Sequence, residues 1–211
     1  MTYADRLRIR HPGDAKFALG PHMDGGSVER WEDRDYREVY ERILKGDWES
    51  FDAWNIGTSL LSWLDVTDGV EKRATANQAI YEGAGTCSCF RAMQGWTSLS
   101  NTGPTEGTLR VYPFLKEMSA YVMLRPLFAP RLAKEEMSKL EYLNSNNWDL
   151  DFETSQFPGA PRAKGQELSD ATHPHLELDR TMVSVPRVRP GDQVFWHCGK
   201  SSPSIQIKCL W

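Results

Sequence analysis

Short alternating runs closed by turn residues constrain this chain more than any other feature. Gln193-Val194-Phe195-Trp196-His197 follows a Pro190-Gly191-Asp192 turn, and Thr108-Leu109-Arg110-Val111-Tyr112 follows Glu106-Gly107. A third alternating run passes through Cys87, Cys89, Gln94 and Trp96 and stops before Asn101-Thr102-Gly103-Pro104. Alternation sends successive side chains to opposite faces of a strand, and Gly, Pro and Asn supply the turns between strands. Leu7 to Arg10 reads as a further short strand, and Leu176 to Val185 as a closing one. Phe17 to Asp24 reads as an extended piece that ends at Gly25-Gly26.

Helical spacing appears in three places. Val28, Trp31, Tyr36, Val39, Tyr40 and Ile43 repeat among Glu and Arg residues, with Ser27 as cap and Gly46 as stop. Leu115, Met118, Tyr121 and Val122 repeat before Pro126, and Ala133 to Leu143 forms the third candidate. Residues 144–171 are polar and rich in Pro and Gly and read as a surface loop; residues 58–77 break any period and read as an insertion. Short strands with helices packed beside them predict a mainly β fold with supporting helices, a sandwich or barrel, as one domain over residues 1–211.

Composition narrows the partners. A net charge of −4 on 211 residues argues against nucleic acid, whose phosphates need a clustered basic surface. No run of about 18 apolar residues and no basic, apolar leader is present, so neither a membrane nor secretion is expected. Cys87 and Cys89 lack the two-residue spacer of a structural zinc site, so they, Cys198 and Cys209 read as free thiols of a cytoplasmic protein.

The residues that carry chemistry are His22 and Asp24. Two apart on an extended segment, an imidazole and a carboxylate converge on one point, as two members of a 2-His-1-carboxylate metal triad do. The bland alternative is a surface His beside a turn Asp. With five His and 14 Asp in 211 residues, about 0.33 His-x-Asp pairs are expected by chance, so the pair alone is weak and context must carry the assignment. Gly25 and Gly26 leave room for a ligand to approach. The charged mixture from Glu29 to Arg42 reads as a solvated helix face. The Trp residues read as core or pocket wall.

That context is a resemblance in three separated places. His22-x-Asp24, then Gln94-Gly95-Trp96 with Gly107-Thr108-Leu109-Arg110-Val111-Tyr112-Pro113, then Pro190-Gly191-Asp192 to His197 resemble the phytanoyl-CoA-hydroxylase-like Fe(II)/2-oxoglutarate oxygenases. Ala18 to Ser27 and Val194-Phe195-Trp196-His197-Cys198 are most similar to the group called domain of unknown function 1479. The resemblance implies a double-stranded β-helix (jelly roll) holding Fe(II), with 2-oxoglutarate as co-substrate for hydroxylating a small molecule. His22 and Asp24 would be metal ligands, and Gln94 and Arg110 contacts to the co-substrate. It stops at Gly199. The family's distal His falls on Ser202, and no Arg follows Arg189 to pair the co-substrate carboxylate. The expectation is therefore a roll incomplete at its C-terminus, with an atypical tail over 199–211 and an open sheet edge. His197, or less readily His173 and His175, could supply the third ligand; the bland reading places all three beside the pocket, in packed structure or facing solvent. An inactive remnant acting as a binding module is the alternative to an oxygenase, and a cupin-like metal enzyme that does not use 2-oxoglutarate a third.

Overall fold

The computed structural model describes residues 7–9, 11, 19–51, 72, 75–84, 86, 93–197 and 205–208. The chain opens with a two-residue strand, β1 (His22–Met23), and three short helices, α1 (Glu29–Glu32), α2 (Arg34–Val39) and α3 (Glu41–Leu44). Strands β2 (Met93–Thr97) and β3 (Leu109–Val111) precede the ten-residue helix α4 (Leu115–Leu124). Strands β4 (Phe128–Pro130), β5 (Trp148–Leu150) and β6 (Gln166–Glu167) follow, with α5 (Lys139–Tyr142) between the first two. Helix α6 (Leu178–Thr181) and strands β7 (Val183–Ser184), β8 (Gln193–His197) and β9 (Ile205–Lys208) complete the described residues.

These strands make three small antiparallel sheets, in the orders β6-β1-β9-β3-β7, β2-β8 and β4-β5. With the helices they form a mixed α/β arrangement, and the described residues close no barrel. Local sequence explains most of it. Apolar residues at helical spacing bury Leu115, Met118, Val122 and Met123 of α4 against Tyr36, Val39, Tyr40 and Ile43. The long periodic run after Ser27 breaks into three helices: Asp33 caps α2, its carboxylate accepting from the Tyr36 amide, and Tyr40 leaves helical geometry (φ −103°, ψ 14°) between α2 and α3. Ser27 itself is buried and caps nothing; its hydroxyl has no partner.

Several expectations shift. Leu7 to Ile9 form no strand. The segment read as one strand from Leu176 to Val185 begins at the end of a 3-10 turn (Pro174–Leu176), passes through Glu177 at φ 44° into the helical turn α6, and only then forms the two-residue β7. The candidate helix over 133–143 shortens to a 3-10 turn at Lys134–Glu136 and α5. The stretch 144–171 contributes β5 and β6 rather than loop alone. Of the insertion, 58–71 and 73–74 lie outside the described residues, as do Cys87, Cys89, Cys198, Cys209 and Ser202. Among the described residues the tail strand Ile205–Lys208 runs between β1 and β3 and pairs with both, while the outermost strands of that sheet are β6 and β7. Among the described residues no helix is long and apolar enough to cross a membrane.

Candidate functional site

Met23 decides where its neighbours point. Its side chain is 2% exposed and packs with Tyr36, Leu168 and Met182 in the helical core. On an extended segment the residues either side of Met23 must then face the other way. His22 and Asp24 do: both are half-buried, and His22 Nε2 lies 3.4 Å from Asp24 Oδ1. The Gly20 carbonyl, 2.8 Å from His22 Nδ1, can only accept, so Nδ1 carries a proton and Nε2 is the nitrogen turned to the carboxylate. A bare lone pair facing a carboxylate is repulsive. A proton on Nε2 or a cation bound to both groups removes that repulsion. Two donors each about 2.1 Å from one ion sit about 3.0 to 3.4 Å apart, so the spacing suits a shared metal. A ring nitrogen held by a backbone carbonyl is also how metal-binding imidazoles are commonly oriented.

The turn after Asp24 is held from inside. Gly25 and Gly26 both have φ of +83°, a region in which only glycine is comfortable. Their carbonyls, with those of Asp24 and Ser27, turn inwards onto two side chains. Arg30 Nη2 donates to Asp24 O at 2.6 Å, and Nη1 donates to Gly26 O at 2.9 Å and Ser27 O at 3.3 Å. Tyr36 Oη donates to Gly25 O at 2.5 Å. Arg30 Nη1 also reaches Gln166 Oε1 on β6, at 2.8 Å, and the guanidinium lies 5.6 Å from the Tyr36 ring centroid. Glu29 accepts from the Ser27 amide at 2.8 Å.

The sequence reading of this region changes in two respects. Glu29 and Arg30 are fully buried, not part of a solvated helix face, because the turn's carbonyls and the Ser27 amide supply the partners that water would otherwise give. Nor do the two glycines leave space for a ligand. A Cβ at Gly25 would meet Tyr36 Oη at 2.9 Å, and one at Gly26 the Gln78 carbonyl oxygen at 3.0 Å. The chain's own atoms occupy that side. Arg30, Tyr36 and Gln166 are thus site residues that sequence spacing passed over. The signal was the Gly-Gly pair, which turns several carbonyls one way and so requires a donor.

The other expected site residues lie on other strands. Gln94 stands opposite Trp196 in the β2-β8 sheet, on the face that also carries Trp96 and Val194 and is less exposed than the Gly95–Phe195 face. His197 pairs with Met93 at the end of that sheet, not in the sheet of β1. Arg110 is not brought to His22. The register sets Met23 opposite Ile205 and Arg110 opposite Ile207, so Met23 and Arg110 share a face and His22 has the other. Arg110 Nη2 donates to Met182 O at 3.2 Å. Among the described residues no group of three or more His, Cys, Asp or Glu side chains forms.

His173 and His175 do not face solvent. His173 is buried, with Nδ1 2.8 Å from Thr172 Oγ1 and Nε2 without a partner; burial, then the nearby Arg125 charge, pulls its imidazole down to about 3. His175 joins Tyr121 Oη at 3.1 Å and the Leu143 carbonyl at 3.1 Å, stacks edge-on to Trp148, and is lowered mainly by burial. These two belong to the packing between α4 and β5.

Comparison with known proteins gives this geometry a family context. A family model described as Gig2-like matches residues 1–201. The chain is 30% identical over 198 residues to the uncharacterised protein YbiU of Escherichia coli K12, covering 94% of this chain and 38% of that protein. Among solved structures it is similar to the GlcNAc-inducible gene 2 protein (domain of unknown function 1479) of Candida albicans. There the identity is 38% and the TM-score 0.74, over 99% of this chain and 39% of the other. It is also similar to a candidate oxidoreductase of Salmonella typhimurium LT2, at 25% identity and a TM-score of 0.62, over 96% and 43% of the two chains. The chain thus spans about two fifths of the length of the relatives it matches.

Proposed function

This chain belongs to the Gig2-like family, and from that premise we propose that it carries part of a non-haem Fe(II)/2-oxoglutarate oxygenase site that hydroxylates a small molecule. The observation that carries the reading is the convergence of His22 Nε2 and Asp24 Oδ1, 3.4 Å apart on one face, with Nδ1 tied to Gly20 O. His22 and Asp24 would hold the iron, and Gln94 would contact the co-substrate from its less exposed sheet face. Bound iron would supply open coordination positions for the oxo-acid and O₂. The chain's own part is to hold the imidazole in one tautomer and to keep both ligands on the face that Met23 leaves free.

The sheet order supports a jelly roll as the complete form. Along the chain β1, β3, β7 and β9 fall in one sheet, and β2 and β8, which interrupt that series, pair with each other in a second. A double-stranded β-helix passes between two sheets in this way. The name of the Salmonella relative, a candidate oxidoreductase, points in the same direction.

One observation favours the second reading, a scaffold that no longer catalyses. On β9 the residue paired with His22 is Gln206, a carboxamide and not an imidazole. Anaerobic titration with Fe(II) and 2-oxoglutarate separates the two. A visible charge-transfer band that disappears in His22→Ala supports the oxygenase. No band in the natural chain, with one gained by Ser202→His plus an arginine introduced downstream, supports the inactive scaffold.

A further inference from the structure

The orphaned carbonyls of the Asp24–Ser27 turn, and what answers them, carry a step beyond the ligand pair. We propose that Arg30 is a positioning residue: its buried guanidinium fixes the backbone at Asp24 and so aims the Asp24 carboxylate at His22. The inference rests on the reading of His22 and Asp24 as metal ligands.

Four facts converge on it. Arg30 has no exposed surface, and an arginine is carried into a protein interior only when acceptors there replace water. Its two terminal nitrogens reach three of four consecutive carbonyls, Asp24, Gly26 and Ser27, and Tyr36 Oη takes the fourth, Gly25. The shortest of the bonds that Arg30 makes, at 2.6 Å, is to Asp24, the ligand residue itself. The remaining contact, to Gln166 Oε1 at 2.8 Å, reaches β6, which pairs with β1 through Met23↔Gln166 and His22↔Glu167. One side chain therefore ties the turn to the strand beside the one that carries His22.

This arrangement has a geometric consequence. The two glycines at φ +83° are the softest backbone in the segment, and without a clamp the peptide after Asp24 could rotate. Rotation there swings the Asp24 side chain off the point it shares with His22. A planar fork with several fixed donors suits this task, whereas a lysine ammonium, a single point on a flexible stem, cannot span Asp24 O, Gly26 O and Gln166 Oε1 at once.

The test is anaerobic Co(II) binding to the full chain, followed by the visible d–d band and the titration midpoint, with thermal melts in parallel. Arg30→Met and Arg30→Lys are expected to weaken Co(II) binding roughly 10- to 100-fold, the range seen when a group supporting a metal ligand is removed. The band should also change shape, because the carboxylate no longer holds its place; a purely structural role would lower the melt and leave band and midpoint alone. Tyr36→Phe deletes only the Gly25 contact and keeps the ring, and is expected to give a smaller loss in the same direction. If the Arg30 variants do not fold, Tyr36→Phe decides: a weakened midpoint supports the inference and an unchanged one overturns it. Natural affinity and band in all variants overturn the positioning role alone. No Co(II) band in the natural chain overturns the metal reading and this inference with it.

Discussion

Replacing Gly26 by alanine tests the turn beneath the His22–Asp24 pair, because two separate costs fall on one position. Gly26 sits at φ +83°, where an L side chain costs about 1–2 kcal/mol. Its Cβ would lie 3.0 Å from the Gln78 carbonyl oxygen and 3.5 Å from Gln78 Cα, backbone atoms that cannot swing aside as a side-chain tip can. Forced displacement in packed structure adds about 1–3 kcal/mol. The expected loss is therefore about 2–5 kcal/mol. For a chain of this size that corresponds to a fall in Tm of roughly 2–4 °C per kcal/mol. Two other glycines separate the terms. Gly46 has φ +84° with nothing within 4 Å of a built Cβ, so Gly46→Ala should show the backbone cost alone. Gly165 has neither constraint, and Gly165→Ala should be close to neutral. Urea unfolding followed by circular dichroism ranks the three. A Gly26→Ala loss no larger than that of Gly46→Ala would show that the Gln78 approach costs nothing and would refute the reasoning.

Two further expectations follow from burial. Ile43 has no exposed surface in the helical core, so Ile43→Ala should cost about 2–5 kcal/mol in urea unfolding, and a loss under about 1 kcal/mol would mean that this core is not packed as described. His173 is neutral in the folded chain down to about pH 3, whereas in the unfolded chain it takes up a proton near pH 6.5. Between those values the unfolded state binds the extra proton, so stability is lost as pH falls from about 6.5 towards 3, by up to about 1.4 kcal/mol per pH unit from this group. His173→Phe should flatten that part of the pH dependence; identical slopes for variant and natural chain would contradict the burial assignment.

The His22–Asp24 pairing and some of the fold were legible in the residues alone, for a local reason. A residue-by-residue alternation fixes which side chains share a face, so His22 and Asp24 were bound to converge wherever their strand lay, and β2, β3 and β8 followed from alternation between turns. Helical spacing placed α4 equally well. Tertiary structure decided what spacing cannot encode, which is what the far side of each element meets. Glu29 and Arg30 have the look of exposed helix residues, and only the inward carbonyls of the Gly25-Gly26 turn and Gln166, 136 positions along the chain, make their burial affordable. Gln166 lies in a polar stretch with no strand pattern, and it became part of β6 only because β1 offered an edge to pair with. The tail strand Ile205–Lys208 entered the main sheet by the same route, since a backbone ladder asks for free amides and carbonyls and not for a particular sequence.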